Sequence, residues 1–188
     1  VVKEDSVSTP VRLVVDPSMT SLNNHLAKGE NVLLSTPDIL LRARLSKLMW
    51  TSDISKLYIR LKLHPDHYCY SLFLYHKDLD PKTQPEVYVL VRAWYGVVSS
   101  GHQAAAALQK FVTAFGDDHS EARNVILKSI YVDDMVDGVE THQDREDHIQ
   151  HTMDLLDHGS LPLKYVIRSG QPLPPESSAD PSETKVLG

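Results

Sequence analysis

The chain has 188 residues, of which 41% are hydrophobic and 23% charged, and its formal net charge is −6 at pH 7. These values are typical of a globular domain with a sizeable core, and the acidic balance argues against a simple phosphate-binding module, whose surface is strongly basic. Because no run approaches the roughly eighteen apolar residues of a membrane span, we expect an intracellular, cytoplasmic protein without a membrane partner.

The N-terminal third of the chain predicts two strands with a helix between them. The first strand is predicted at residues 11–16. A helix follows, with Thr36 as its N-cap and a basic outer face. The buried strand at residues 49–54 then brings the carboxylate of Asp53 to the edge of a core, where a charge is costly unless something compensates it.

In the middle of the chain apolar and polar residues alternate as they do in strands, and a helical pattern follows. Strands are predicted at residues 59–63, 68–75 and 87–91. The single cysteine, Cys69, excludes an internal disulfide framework and is expected to be a core thiol. A glycine-flanked turn over residues 94–101 precedes a long alanine-rich helix, and its small residues suit either close packing or the close approach of a ligand.

Two adjacent carboxylates, Asp133 and Asp134, interrupt an apolar run at residues 126–138. The flanking residues predict two short strands joined by a tight turn that carries both acids, because Asp tolerates left-handed backbone angles. Two carboxylates at a hairpin tip repel each other unless one takes a proton or a divalent cation, such as magnesium, lies between them. An Asp pair in a surface turn is also common without any metal, and the pair alone leaves both interpretations open.

The C-terminal part of the chain is acidic, with twelve Asp/Glu against three Lys/Arg in residues 117–157. It predicts a helix from Thr141 to the His158-Gly159 pair and a strand at residues 161–167. A proline-rich loop follows. The abrupt first and last residues suggest a segment of a longer polypeptide.

The order of the acids along the chain points to a shared site. One Asp from a strand end and two from an adjacent hairpin can hold two divalent ions about 4 Å apart, the arrangement that polymerases use for in-line phosphoryl transfer. Several segments extend this pattern: residues 131–134 (YVDD), 53–58 (DISKLY), 12–16 (RLVVD), 21–24 (SLNN), 40–42 (LLR) and 96–101 (GVVSSG). Over nearly its whole length the sequence resembles the reverse transcriptase of retroelements, most closely that of Pao/BEL long-terminal-repeat retrotransposons.

The resemblance implies an α+β fold: a right-hand polymerase reduced to fingers and palm, with an antiparallel palm sheet backed by helices. Fingers would comprise residues 1–48 and 65–92, and palm residues 49–64 and 93–188, truncated before the primer grip and thumb. The implied activity is RNA-directed DNA polymerisation with two Mg²⁺ ions, for which Mn²⁺ can substitute. The implied partners are dNTP and an RNA or DNA template–primer, inside retrotransposon particles if the element is active. The thumb, ribonuclease H, protease and integrase of the polyprotein would lie outside the chain.

The resemblance also assigns roles to residues. Asp53 and Asp133 would bridge both metals, Asp134 would support them, the Ile54 carbonyl would complete one ion, and Lys164 would protonate the departing pyrophosphate. The implied nucleotide contacts are Lys3, Arg12, Tyr58, Tyr95 and Gly96, with Tyr58 as the steric gate against a ribose 2′-OH. The implied template or primer contacts are Arg42, Ser100, Gly101 and Tyr131. The chain departs from the family at Tyr95, where many members have Gln, and at Ser100-Gly101, where Ser-Pro is frequent.

Two other interpretations remain open on the sequence. One is a non-catalytic retroelement remnant or interaction module that keeps the palm fold, which the missing thumb favours and the three intact acids oppose. The other is an RNA-copying RNA polymerase. Tyr58 disfavours it, because such an enzyme needs room for the 2′-OH.

Overall fold

A computed structural model describes residues 16–175 of the chain. In this part the α-helices are α1 (Leu22–His25), α2 (Thr36–Arg44), α3 (Leu57–Arg60), α4 (Ser100–Phe115), α5 (Ser120–Ser129) and α6 (His142–His158). The strands are β1 (Leu48–Asp53), β2 (Leu72–Tyr75), β3 (Glu86–Val89), β4 (Ile130–Tyr131), β5 (Asp134–Val139) and β6 (Ile167–Arg168), and short 3₁₀ helices cover Pro17–Thr20, Pro65–Tyr70 and Asp117–His119. Within these ranges no helix combines the length and the apolar character needed to cross a membrane.

The strands form two antiparallel sheets, which confirms the predicted mixed α+β class. The larger sheet has the order β4-β5-β1-β6. Its longest pairing joins β1 to β5, from Leu48 opposite Val139 to Asp53 opposite Asp134. The smaller sheet is the β2–β3 hairpin.

Helices cover both faces of the larger sheet. Met135 and Val136 are neighbours in β5, and successive strand residues point to opposite faces. Met135 packs in the main core with residues of α4, α5 and α6, whereas Val136 packs with Ile39 and Ala43 of α2. The sheet is therefore held between a three-helix layer and the single helix α2. Asp134 lies two residues from Val136 and shares the face on which α2 packs.

Several predicted boundaries are confirmed by the cap residues. The Thr141 hydroxyl accepts a hydrogen bond of 3.1 Å from the Asp144 amide at the start of α6, and Gly159 follows its end. Helix α2 begins one residue earlier than predicted, because Ser35 is the N-cap and Thr36 the first helical residue.

Two predicted strands in the middle of the chain are wrong wholly or in part. Residues 59–63 were expected to alternate in a strand, but the chain forms the single-turn helix α3, and only Lys62 makes an isolated bridge, to Arg92. A five-residue alternation is too short to separate a strand from a helical turn, and α3, whose Leu57 is buried, takes up the first two of these residues. The strand predicted at residues 68–75 begins only at Leu72, because a 3₁₀ helix with a proline at its start precedes it.

Three further expectations need correction. Cys69 lies on that 3₁₀ helix and is exposed, so it is not a core thiol. The apolar run from residue 126 starts in helix α5, which extends to Ser129, because the buried residues there recur at helical spacing; only β4 is left as the predicted strand before the acids. The strand predicted at residues 161–167 reduces to an isolated bridge between Leu163 and Ile54 and to the short strand β6.

Candidate active site

The two acids lie on a tight hairpin, as predicted, but the backbone differs from the expectation. Tyr131 pairs with Asp134, which leaves Val132 and Asp133 as the turn. Val132, and not an aspartate, takes the left-handed conformation, with φ of 59°. For a β-branched residue this conformation is a genuine outlier, and such strain recurs at functional sites because the surrounding structure must impose it.

The hairpin brings the predicted carboxylates together across two strands. Asp53 is the last residue of β1 and lies directly opposite Asp134, the first residue of β5. Residues paired in this way have Cβ atoms about 4.5–5.5 Å apart on one face of the sheet. The buried Ile54 donates its amide hydrogen to the Asp133 carbonyl at 2.8 Å, which fixes the turn against the end of β1.

The carboxylates carry negative charge that their surroundings compensate only in part. Burial and the neighbouring charges of Asp133 and Asp53 together raise the pKa of Asp134 to about 6, and the charge of Lys164 acts in the opposite direction. Burial also raises the pKa of Asp53, which Lys164 and the backbone partly offset. A divalent cation between these groups would relieve both the repulsion and the cost of burial.

Lys164 is held beside Asp53 by its backbone as well as its charge. Its Nζ lies 4.0 Å from Asp53 Oδ2, and its amide donates to the Asp53 carbonyl at 2.9 Å. The adjoining segment is anchored by the buried Ser52, whose hydroxyl donates to the Tyr165 carbonyl at 2.7 Å. Lys164, to which the resemblance assigns the role of proton donor, therefore reaches the acids from a defined position.

An aromatic pair borders the acids. The ring centroids of Tyr58 and Tyr95 are 4.7 Å apart, with their planes inclined by 55°. Burial raises the pKa of Tyr58, and the charge of Asp133 and the phenols of Tyr95 and Tyr131 raise it further. Tyr58 therefore lies close enough to the hairpin for the Asp133 charge to affect its pKa.

The loop that carries Tyr95 and Gly96 is clamped by a residue for which the sequence suggested no role. The Asn23 side chain donates to the Gly96 carbonyl at 2.9 Å and accepts from the Val98 amide at 2.9 Å. Gly96 has φ of 95°, which suits glycine alone among common residues. Asn23 belongs to the 21–24 segment of the resemblance, but a contact across more than seventy residues has no local signal.

The four residues that the resemblance assigns to template or primer contacts differ in burial and in their contacts. Arg42 donates to the Lys128 carbonyl, so its guanidinium occupies the C-terminal end of α5. Ser100 is buried and donates to the Trp94 carbonyl at 2.7 Å. Tyr131 is partly buried against the α2 cluster, whereas Gly101 faces open space. Lys3 and Arg12, assigned to the nucleotide, lie outside the described residues.

The donor set fits a metal that binds together with its substrate. Between residues 16 and 175 no group of three or more His, Cys, Asp or Glu side chains is arranged to hold a metal ion by itself. Magnesium usually takes only one or two protein carboxylates and completes its octahedron with substrate phosphates and water. The facing pair Asp53 and Asp134, with Asp133 beside it, supplies this kind of ligand.

Comparison with known proteins adds no assignment to this geometry. A search of protein-family models finds no match to the chain, and a search of curated proteins finds no significant match either.

Proposed function

We propose that the chain is the fingers and palm part of an RNA-directed DNA polymerase of the Pao/BEL retrotransposon type. The reaction would transfer a nucleotidyl group from dNTP to a primer 3′-OH on an RNA or DNA template. The observation that carries the proposal is the placement of Asp53 opposite Asp134, beside a strained hairpin that holds Asp133. The boundaries given above for fingers and palm belong to this proposal.

The proposed chemistry uses these side chains for positioning and charge neutralisation. Asp53 and Asp133 would hold two Mg²⁺ ions, with Asp134 in support and the Ile54 carbonyl as a further ligand. Bound magnesium would activate the 3′-OH and offset charge on the phosphates. Lys164 lies beside Asp53 and would give a proton to the pyrophosphate oxygen as it departs, which is a general-acid role.

Sugar selection is the part of the proposal that Tyr58 carries. Its ring lies against Tyr95 and close to the hairpin, so it would crowd a 2′-OH on the incoming nucleotide. We expect Tyr58→Ala to reduce discrimination against ribonucleotides by on the order of 10–100-fold, because one steric contact is worth about that much. Tyr58→Phe keeps the ring and is the matched control, and competitive single-nucleotide incorporation measures the ratio. Unchanged sugar discrimination in Tyr58→Ala would contradict the steric role.

Manganese binding followed by electron paramagnetic resonance tests the proposal directly. Free and bound Mn²⁺ are measured with and without dNTP and template–primer, on the unchanged chain and on Asp133→Asn. The control is Asp118→Asn, at an exposed acid on the 3₁₀ turn before α5. We expect the nucleotide to tighten Mn²⁺ binding about tenfold, equivalent to about 1.4 kcal/mol, in the unchanged chain and the control but not in Asp133→Asn.

The alternative function, a non-catalytic module that keeps this fold, predicts a different result. Mn²⁺ binding would then be weak, indifferent to dNTP and unchanged by Asp133→Asn. That outcome would mean that the carboxylates do not act together on a metal, and it would overturn the polymerase proposal for this chain.

A further inference from the structure

A second polar cluster lies on the opposite face of the larger sheet from Asp134, where α5 and α6 pack. At its centre is His148 of α6, whose Nδ1 lies 2.7 Å from Asp137 Oδ2 and whose Nε2 lies 3.2 Å from Glu121 Oε1. A neutral imidazole has one donor and one acceptor nitrogen, and an acceptor facing a carboxylate is repelled. A proton on both nitrogens would make His148 an imidazolium that is hydrogen-bonded to Asp137 and ion-paired with Glu121.

Asp137 accepts hydrogen bonds from two further donors. Its Oδ1 accepts from the Ser129 hydroxyl at 2.9 Å, and its Oδ2 accepts from the indole nitrogen of the buried Trp50 at 3.3 Å. The Asp137 side chain is only 12% exposed. A carboxylate so far removed from water is stable when its charge is paired and hydrogen-bonded, and His148 supplies the paired charge.

The groups that face His148 come from three elements. Asp137 belongs to β5, Glu121 to α5 and Asp144 to the first turn of α6 itself, and all three favour the charged ring. Glu121 also bonds the Nδ1 of His151, one turn further along α6. The hydrogen bond to Asp137, with help from the charges of Glu121 and Asp144, raises the pKa of His148 although burial lowers it.

The basic side chains near His148 do not outweigh the carboxylates that favour its charged ring. Lys128 and Arg42 line the same cleft of about 520 Å³. The Arg42 guanidinium donates to the Lys128 carbonyl and so caps the C-terminal end of α5. The cluster around His148 is therefore dominated by carboxylates.

We propose that protonated His148 is a pH-sensitive latch that ties α5 and α6 to β5, the strand that begins at Asp134. On deprotonation the ring keeps only one N–H and loses its charge, so the ion pair with Glu121 is lost and the remaining N–H can serve only one of the two carboxylates. Because the pKa of His148 is raised above its ordinary 6.5 by folding, the latch contributes its full stability below pH 6.5 and loses it as the pH rises through the folded value. The latch does not depend on the proposed polymerase activity.

Nitrogen-15 NMR of the histidine rings in the full chain tests the protonation directly. We expect both His148 nitrogens to carry protons at pH 7 and the ring to titrate above the ordinary histidine pKa of 6.5. Glu121→Gln removes one carboxylate and should lower the His148 pKa. A single-proton tautomer of His148 at pH 7, or a pKa that does not respond to Glu121→Gln, would overturn the latch.

Urea unfolding at pH 6 and pH 9 tests the consequence for stability. Between pH 6 and pH 9 the urea concentration at the unfolding midpoint should fall further for the unchanged chain than for His148→Gln, because the glutamine amide does not titrate. His67→Gln, at an exposed histidine on the second 3₁₀ helix, is the matched control and should keep the full loss. An equal loss in all three proteins would contradict the latch. The NMR measurement decides alone if His148→Gln does not fold.

Discussion

Replacing Asp53 by Asn should reduce single-nucleotide incorporation by at least on the order of 10²–10³-fold, the range seen when one preorganised electrostatic contact is removed from an active site. The amide keeps the shape of the side chain but loses the charge that faces Asp134 across β1 and β5. Under the proposal that charge helps to hold both metal ions, so its loss removes positioning and charge neutralisation together. Single-turnover extension of a labelled primer with Mg²⁺ and dNTP measures the rate.

The Asp53→Asn result has to be compared with a control variant that removes one negative charge away from the candidate site. Asp118→Asn makes the same chemical change at an exposed position and should extend the primer as the unchanged chain does. Incorporation by Asp53→Asn within a few-fold of the unchanged chain would contradict the assignment of the carboxylates. Lack of incorporation by the unchanged chain, together with Mn²⁺ binding that ignores dNTP, would favour the non-catalytic alternative.

The sequence predicted the elements that carry the acids better than those around them. The end of β1 and the hairpin at residues 131–136 could be recognised because β-branched and aromatic residues flank charges there. The start of the apolar run at residues 126–129 was misjudged for the same reason: Ile126 favours a strand locally, although these residues belong to α5. Packing against α6 overrides that preference, because these residues fall at helical spacing on one buried face.

The contacts that position the site were harder to predict than the acids themselves. An Asp-Asp pair suggested that an aspartate would take the left-handed angle, but Val132 takes it, since pairing of Tyr131 with Asp134 leaves Val132 first in the turn. The Asn23 clamp and the His148 cluster join residues far apart in sequence. A single sequence signals the acidity of residues 117–157, not which carboxylate faces which histidine.

The packing of α2 onto the strand that carries Asp134 can be tested with a glycine pair. Gly138 lies in β5, and a Cβ built there would come within 2.7 Å of Ser46 Oγ and 2.9 Å of Ala43 Cα. Ala43 Cα is backbone of a buried helix segment, so the contact cannot be relieved by turning a side chain. We expect Gly138→Ala to lower the free energy of unfolding by about 1–3 kcal/mol, the usual cost of overpacking.

Gly101, in the first turn of α4, is the matched position with the opposite expected sign. A Cβ there meets no atom within 4 Å, and alanine restricts the unfolded chain more than glycine does. Gly101→Ala should therefore raise the free energy of unfolding by about 0.4–1 kcal/mol, and urea unfolding of both variants at one pH measures the pair. Equal stability of Gly138→Ala and the unchanged chain would mean that α2 does not press on β5.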